Sequence, residues 1–393
     1  MKPNELSLRY GMNPHQVPAS VAPVAGEGLP FRVLNGRVGY INLLDALKGW
    51  QICREMAEAT GLPAACVLKH TNPVGAAVGL PLSREAQIVF GVQAPEISDV
   101  AAAYVRARAC DPVASYGDFT AVSETVDVTT ARLIKQVVSD GIVAPAYEPE
   151  ALRLLREKKG GNYLIMEMDP EFEPPSLESA DLFGIRLTQH RNSARINSTL
   201  LERAVTRRVT IDEEVMRDLI IATIVVKYCQ SNAVCIARDG QTLGIGVGQQ
   251  SRIQCTRIAC DKAEQWWLRW HPYVQTLKFR AALKQYQRAN ALEGLLRWSE
   301  ATDRERERAL TAFEGSPVPL TSIQCEDWMN QLSNLSLSSD GFIPFRDNID
   351  RAVRAGVGYV LQPGGSARDD EVIAACNEYG IWMAFSGLRL FYH

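Results

Sequence analysis

The sequence predicts an α/β protein built as two tandem halves with a helical segment between them. Three observations predict this. Short apolar runs bounded by turn residues alternate with stretches of helical periodicity, the pattern of a sheet covered by helices on both faces. Two segments recur in outline. A helix followed by Ala65-Cys66-Val67-Leu68-Lys69 is matched by a helix followed by Val234-Cys235-Ile236-Ala237-Arg238, and Asp140-Gly141-Ile142-Val143-Ala144-Pro145 by Gly358-Tyr359-Val360-Leu361-Gln362-Pro363. From roughly Lys262 to Leu332, Glu, Lys, Arg, Trp and Leu dominate and strand-like runs are absent.

The elements follow in order. Asn42 to Thr60 has helical spacing, with Leu43, Leu44, Leu47, Trp50, Cys53 and Met56 on one face, Asn42 as N-cap and Gly61 as stop. Ala64–Leu68 is an apolar run that reads as a buried strand, and Thr71-Asn72-Pro73-Val74-Gly75 reads as a tight turn. Helices at 101–109, 129–138 and 149–158 then alternate with strands at 119–122, 142–147 and 163–168. Residues 171–175 are acidic and Pro-rich and read as a linker. The second half opens with an apolar helix at 215–229. Strands at 233–238 and 242–247 follow, joined by the hairpin signal Asp239-Gly240. Trp266, Trp267 and Trp270 start the helical segment, and their spacing reads as helix packing rather than a ligand cage. The expected units are therefore 1–175, a second unit of 176–261 with 333–393, and a helical insert of 262–332.

Composition narrows the function classes. A chain of 393 residues is long for one ordinary core. At 46% hydrophobic and 22% charged it falls among globular proteins. A net charge of −3 argues against nucleic acid as a partner. The apolar stretch Leu219–Val226 falls far short of the roughly 20 residues a membrane helix needs, and Met1–Glu5 lacks the apolar core of a signal peptide. Nine cysteines, odd in number and never spaced CxxC, suit reduced thiols in a cytoplasm. The five histidines form no HxxxH, and the zinc-deaminase signature is missing, so no metal is expected.

Several motifs carry chemistry. Lys69-His70 ends the first apolar strand, where open α/β sheets bind ligands. The imidazole can take a proton near neutral pH while the ammonium offsets developing negative charge; a surface Lys beside a turn-capping His is the plainer alternative. Arg9 and Tyr10 suit a phosphate clamp and a flat ring. Gly244, Gly246 and Gly248 alternate and permit close backbone approach, but they form no dinucleotide fingerprint, and no GxxxxGK[ST] loop is present. Phe342-Ile343-Pro344-Phe345-Arg346-Asp347-Asn348 offers aromatics for a heterocycle and a carboxylate for its N–H donors, with Asp347 also a candidate N-cap. The apolar end, Leu388 to His393, reads as docked, and Arg389 within it calls for a buried anion partner.

Taken together the motifs resemble a known family. Arg9 to His15, Leu68-Lys69-His70-x-Asn-Pro, Ser115 to Phe119, Ser139 to Pro145, Lys227-x-x-Gln230-Ser231-Asn232, Gly244 to Arg252, Asp340 to Asn348 and Arg389-Leu-Phe391 occur in this order. They resemble AICAR transformylases, the formyl-transfer half of a bifunctional purine-biosynthesis enzyme. The resemblance runs from Arg9 to His393 and starts where the transformylase part starts, so a stand-alone transformylase with a separate IMP cyclohydrolase is expected. It implies two cytidine-deaminase-like three-layer αβα domains without zinc, with a helical connector. The implied reaction transfers formyl from 10-formyltetrahydrofolate to the 5-amino group of AICAR, in a homodimer with sites at the subunit interface. Lys69, His70 and Asn232 would then be catalytic. Arg9, Tyr10, Asn42, Gly117, Asp140, Arg389 and Phe391 would bind AICAR. Arg252, Ile253, Phe342, Pro344, Phe345, Asp347, Asn348 and Ser366 would bind folate. Some members hold a potassium ion with hydroxyl ligands where this chain has Cys229 and Ala233, which counts against the ion here. A different one-carbon enzyme using formate and ATP, or a silent nucleotide-binding protein, are the competing readings.

Overall fold

The computed structural model describes residues 5–24, 28–92 and 96–393; residues 1–4 of the Met1–Glu5 stretch, read above as lacking the apolar core of a signal peptide, lie outside them. In chain order, β1 (Leu6–Leu8) and β2 (Ala19–Val21) form a small ribbon, followed by β3 (Phe31–Asn35), α1 (Tyr40–Thr60), β4 (Ala64–Lys69) and β5 (Asn72–Val78). Next come α2 (Arg84–Val89), α3 (Asp99–Ala109), β6 (Asp118–Val122), α4 (Val128–Lys135), β7 (Ser139–Ala144), α5 (Pro149–Arg156) and β8 (Leu164–Met168). A second ribbon, β9 (Leu177–Leu182) with β10 (Ile185–His190), precedes α6 (Glu213–Lys227), β11 (Val234–Arg238), β12 (Gln241–Gly246) and α7 (Arg252–Leu268). Helices α8 (Pro272–Thr276), α9 (Gln285–Leu296), α10 (Asp303–Leu310) and α11 (Ser322–Met329) lead to β13 (Leu335–Ser339), α12 (Asp347–Arg354), β14 (Val357–Gln362), α13 (Asp369–Glu378) and β15 (Trp382–Phe385).

Eleven strands form one mixed sheet in the order β15-β14-β13-β11-β12-β5-β4-β6-β7-β8-β3. Its two halves repeat one plan. In each, an antiparallel hairpin (β4–β5 or β11–β12) lies beside an antiparallel neighbour (β6 or β13), followed by two parallel strands. The halves join where β12 meets β5, pairing Gln241 with Ala77. Each hairpin also carries a glycine against a helix backbone. A Cβ on Gly75 would lie 2.1 Å from the Ala107 carbonyl of α3, and one on Gly244 would lie 2.0 Å from the Ala259 carbonyl of α7. Helix and strand approach this closely only without a side chain. One core packs α1 and α6 on one face of the sheet, including Trp50, Met56, Ile221 and Val225. A second core packs α3, α4, α5, α7, α12 and α13 on the other.

Several boundaries move. Asn72–Val78 is a strand rather than a turn, and the turn is His70-Thr71 alone. Pro73 is tolerated because it sits second in the strand, next to the register shift at Val67/Leu68. Helix α1 starts at Tyr40 with Gly39 at the N-cap, so Asn42 lies inside its first turn. Strand β7 starts at Ser139, which puts Asp140 in the strand. Asp347 opens α12 without capping it; its carboxylate takes the Asn348 Nδ2 at 2.8 Å instead. Residue 261 falls within α7. The tryptophans pack against one another. Trp267 stacks on Trp328 at 5.2 Å, and each indole N–H donates to the other's backbone carbonyl at 3.0 Å.

Candidate active site

One edge of the sheet gathers the candidate residues. The C-terminal ends of β4, β12, β13 and β14 open there, with the N-terminal ends of β5, β6, β7 and β11. At its centre His70 (φ 52°) and Thr71 (φ 62°) form a two-residue hairpin turn with both residues left-handed. Asn-Gly usually fills such a turn, and left-handed backbone costs ordinary L-residues roughly 1–2 kcal/mol each. Outliers of this kind concentrate at functional sites and persist where the surroundings over-determine them.

The surroundings here do so. The Thr71 N–H donates to Asp45 Oδ1 at 2.8 Å, and Lys48 Nζ donates to the Thr71 carbonyl at 2.6 Å. Asn72 Nδ2 donates to the His70 carbonyl at 3.2 Å, while Asn72 Oδ1 accepts the Gln230 N–H at 3.0 Å. Lys69 Nζ donates to the Tyr116 carbonyl at 2.7 Å. The His70 imidazole is exposed. Burial pushes the Asp45 carboxyl up to about 6, against the pull of the Thr71 N–H and the Lys48 charge, and Asp140 adds to the rise. Asp140 therefore belongs to the same corner, half-exposed and paired with Lys159 at 2.6 Å. Burial likewise lowers Lys48.

The Gln230-Ser231-Asn232 loop lies beside this turn. The Gly248 N–H donates to the Gln230 carbonyl at 2.8 Å. Asn232 Nδ2 donates to the Gln249 carbonyl at 2.8 Å, and Asn232 Oδ1 accepts from Arg252. Arg252 is 7% exposed and Asp340 0%, and the two form an ion pair. The same guanidinium reaches Ser339 Oγ at 2.8 Å. Asp340 also accepts from Ser231 Oγ. The Arg252 guanidinium thus serves contacts inside the protein.

The C-terminal tail runs along the edge and links these groups. Ser386 N–H donates to the Gln362 carbonyl at 2.9 Å, Leu390 N–H to the Asp340 carbonyl at 2.8 Å, and Ser231 N–H to the Tyr392 carbonyl at 3.0 Å. The Tyr392 ring lies 4.0 Å from Lys48 Nζ. A Cβ on Gly341 would lie 2.6 Å from both Arg252 Nη2 and the Phe391 ring, so that glycine lets Phe391 close on the loop. The docked residue of the tail is Leu390, 2% exposed, whereas Arg389 is exposed over the Phe391 ring. That corrects the expected burial of Arg389: alternation along the tail sends Leu390 inward and its neighbours out.

The remaining candidates fall in two groups. Gly117 (φ 66°) precedes β6, whose Asp118 takes both oxygens' bonds from Arg108 at 2.7 Å. Asn42 bends back over Gly39. Arg9 is exposed after β1, lying over the Tyr10 ring and bonding its hydroxyl at 2.7 Å. On the second half, Phe342 and Phe345 present open rings, 43% and 48% exposed, with Arg368 over Phe345 at 5.1 Å. Asn348 is buried and accepts Thr256 Oγ1 at 2.8 Å. Ile253 and Pro344 are half-buried, and Ser366 Oγ accepts the Arg368 N–H at 3.1 Å.

Sequence reasoning missed Asp45, Lys48 and Tyr392. The available signal was a charged pair three residues apart inside an otherwise apolar helical pattern. For a hard cation near this loop, Cys229 and Ala233 are fully buried and supply no hydroxyl oxygen, so they do not fit potassium. Among the described residues no group of three or more His, Cys, Asp or Glu is arranged to hold a metal ion.

Comparison with known proteins completes the description. A family model described as AICARFT/IMPCHase bienzyme matches residues 2–262. The chain is 33% identical to the bifunctional purine biosynthesis protein PurH of Magnetococcus marinus, over 98% of this chain and 59% of that protein. It is 31% identical to the PurH of Roseobacter denitrificans (98% and 60%) and 32% identical to that of Parvibaculum lavamentivorans (98% and 58%). It therefore spans less than two thirds of the length of these relatives.

Proposed function

The chain belongs to the AICARFT/IMPCHase bienzyme family, and from that premise we propose that it is the formyltransferase, moving a formyl group from 10-formyltetrahydrofolate to the 5-amino group of AICAR in purine biosynthesis. The observation that carries this reading is the single sheet edge where the Lys69-His70 turn, the Asn232 loop and the C-terminal tail are hydrogen-bonded to one another. The repeated strand order supports reading the halves as two cytidine-deaminase-like units. The nine free cysteines suit a reducing cytoplasm. Among the described residues no helix is long and apolar enough to cross a membrane.

The chemistry follows from the donors and acceptors at that edge. The AICAR amine attacks the formyl carbon and becomes acidic as its nitrogen gains positive charge. His70, exposed at the turn, takes that proton. The formyl oxygen gathers negative charge, and the Lys69 ammonium offsets it and then protonates the departing folate nitrogen. Asn232 has one Nδ2 hydrogen beyond its bond to Gln249, available to the formyl oxygen. Arg252 acts by holding the Asn232 amide. The open rings of Phe342 and Phe345 suit the folate heterocycle, with Asp347 to accept its N–H groups.

Turnover with AICAR and 10-formyltetrahydrofolate, followed by folate absorbance, tests the reading. Formyl transfer that requires both substrates supports it, and saturable binding without turnover would make the chain a silent binding protein.

Arg9 and Arg389 are assigned to the AICAR phosphate. Each Ala variant is expected to raise the Michaelis constant for AICAR roughly 10- to 100-fold, the worth of a charge-assisted bond, and that for folate much less. The unphosphorylated riboside should abolish the penalty; a penalty that persists would remove both residues from the phosphate.

A homodimer is also proposed. Ala180, Leu182, Ile185 and Leu187 share one face of the β9–β10 ribbon, and Leu182, Phe183, Ile185 and Leu187 are 56–107% exposed. A lone two-stranded ribbon is marginal in water, and an apolar face this open suits a partner. Its root lies near the site: burial raises the Tyr392 hydroxyl, and the Glu178 charge adds to the rise. Sedimentation of the active protein should give a dimer, and full activity in a monomer would refute the shared-site reading.

A further inference from the structure

We infer that Asp45 and Lys48 are positioning residues that clamp the His70-Thr71 turn in its left-handed form and so aim Lys69 and His70. This rests on the reading of those two as the reacting pair. Asp45 and Lys48 lie three residues apart on α1, one helical turn, and are 5% and 6% exposed. Together they capture both backbone groups of Thr71: Asp45 Oδ1 accepts its N–H at 2.8 Å, and Lys48 Nζ donates to its carbonyl at 2.6 Å.

Thr71 is β-branched and has φ 62°, a conformation that such residues reach only under constraint. With both backbone groups held from α1, the peptide plane that follows His70 cannot rotate. The two neighbouring side chains are then fixed relative to the sheet edge. The clamp also reaches the other half of the site, because the Tyr392 ring lies on Lys48 and the Tyr392 carbonyl accepts the Ser231 N–H beside Asn232. Neither side chain is exposed enough to be a reactant, which separates their role from that of His70.

The test combines variants with two independent readouts. Asp45→Ala is expected to lower kcat about 10²-fold, the cost of a misplacement of about 1 Å, while the Michaelis constant for AICAR stays within about threefold. Asp45→Asn keeps an oxygen for the Thr71 N–H and should restore most of the rate. Adding Thr71→Asn to Asp45→Ala should recover part of it as well, because Asn tolerates the left-handed region. Should Asp45→Ala fail to fold, Lys48→Met carries the same expectation through the Thr71 carbonyl.

Amide exchange at Thr71 reads the clamp without activity and should quicken in Asp45→Ala. A folded Asp45→Ala with wild-type kcat, or with unchanged exchange at Thr71, overturns the inference. So does a loss in which kcat and AICAR affinity fall together and Thr71→Asn recovers nothing. A wild-type protein that transfers no formyl group, with the exchange result as expected, overturns the underlying functional reading instead.

Discussion

His70→Ala is expected to lower formyl transfer by about 10²–10⁴-fold, the usual cost of losing a general base. The fold should survive. His70 is exposed, and its structural bond is made by its backbone carbonyl, which alanine retains. AICAR affinity should change far less than turnover, since the proton leaves only as the amine attacks. Alanine also tolerates φ 52° no better than histidine, so a small additional loss through the turn is expected, and Thr71 exchange would report it. Calorimetric AICAR binding beside steady-state turnover checks this. A folded variant turning over at the wild-type rate would remove His70 from the chemistry.

The largest stability effect is expected at the Arg252–Asp340 pair. Asp340 is fully buried and Arg252 nearly so. Asp340→Ala leaves the guanidinium without its counter-charge and Ser231 Oγ without its acceptor. Breaking a buried pair from one side costs about 3–5 kcal/mol. The double variant Arg252→Met with Asp340→Leu should recover much of this, because apolar groups of similar volume often replace a buried pair without loss. It should still transfer formyl poorly, since Asn232 Oδ1 loses the donor that orients it. Denaturant unfolding of the two variants against wild type is the measurement. A loss under about 1 kcal/mol for Asp340→Ala would mean that the pair is solvated in solution.

The sequence made some of this legible and left specific parts hidden. Strand β4 and helix α6 could be read because apolar runs of the right length leave few alternatives, and the β11–β12 turn because Asp239-Gly240 takes the left-handed pair (φ 53° and 74°) that its hairpin needs. Strand β5 was hidden, since Asn-Pro and Gly signal a turn locally while the long-range pairing with β4 and β12 decides the outcome. The β9–β10 ribbon was hidden because its turn is Phe183-Gly184 rather than Asn-Gly, and neither strand is buried in the chain. At the site, Lys69, His70 and Asn232 could be named from motifs. That Arg252 faces inward and Arg389 outward could not, because the burial of an arginine depends on which carboxylate the fold brings to it. Asp45 and Lys48 were passed over for the same reason: a charged pair on a helix reads as a solvated face until the turn that it holds is seen.

One measurement bears most directly on the central assignment. The purified protein is supplied with AICAR and 10-formyltetrahydrofolate carrying an isotopic label in the formyl group, and the nucleotide products are separated and identified. The expected result is label carried into formyl-AICAR, with tetrahydrofolate formed in equal amount. Label that stays on folate or leaves as formate, with none in the nucleotide, would contradict formyl transfer.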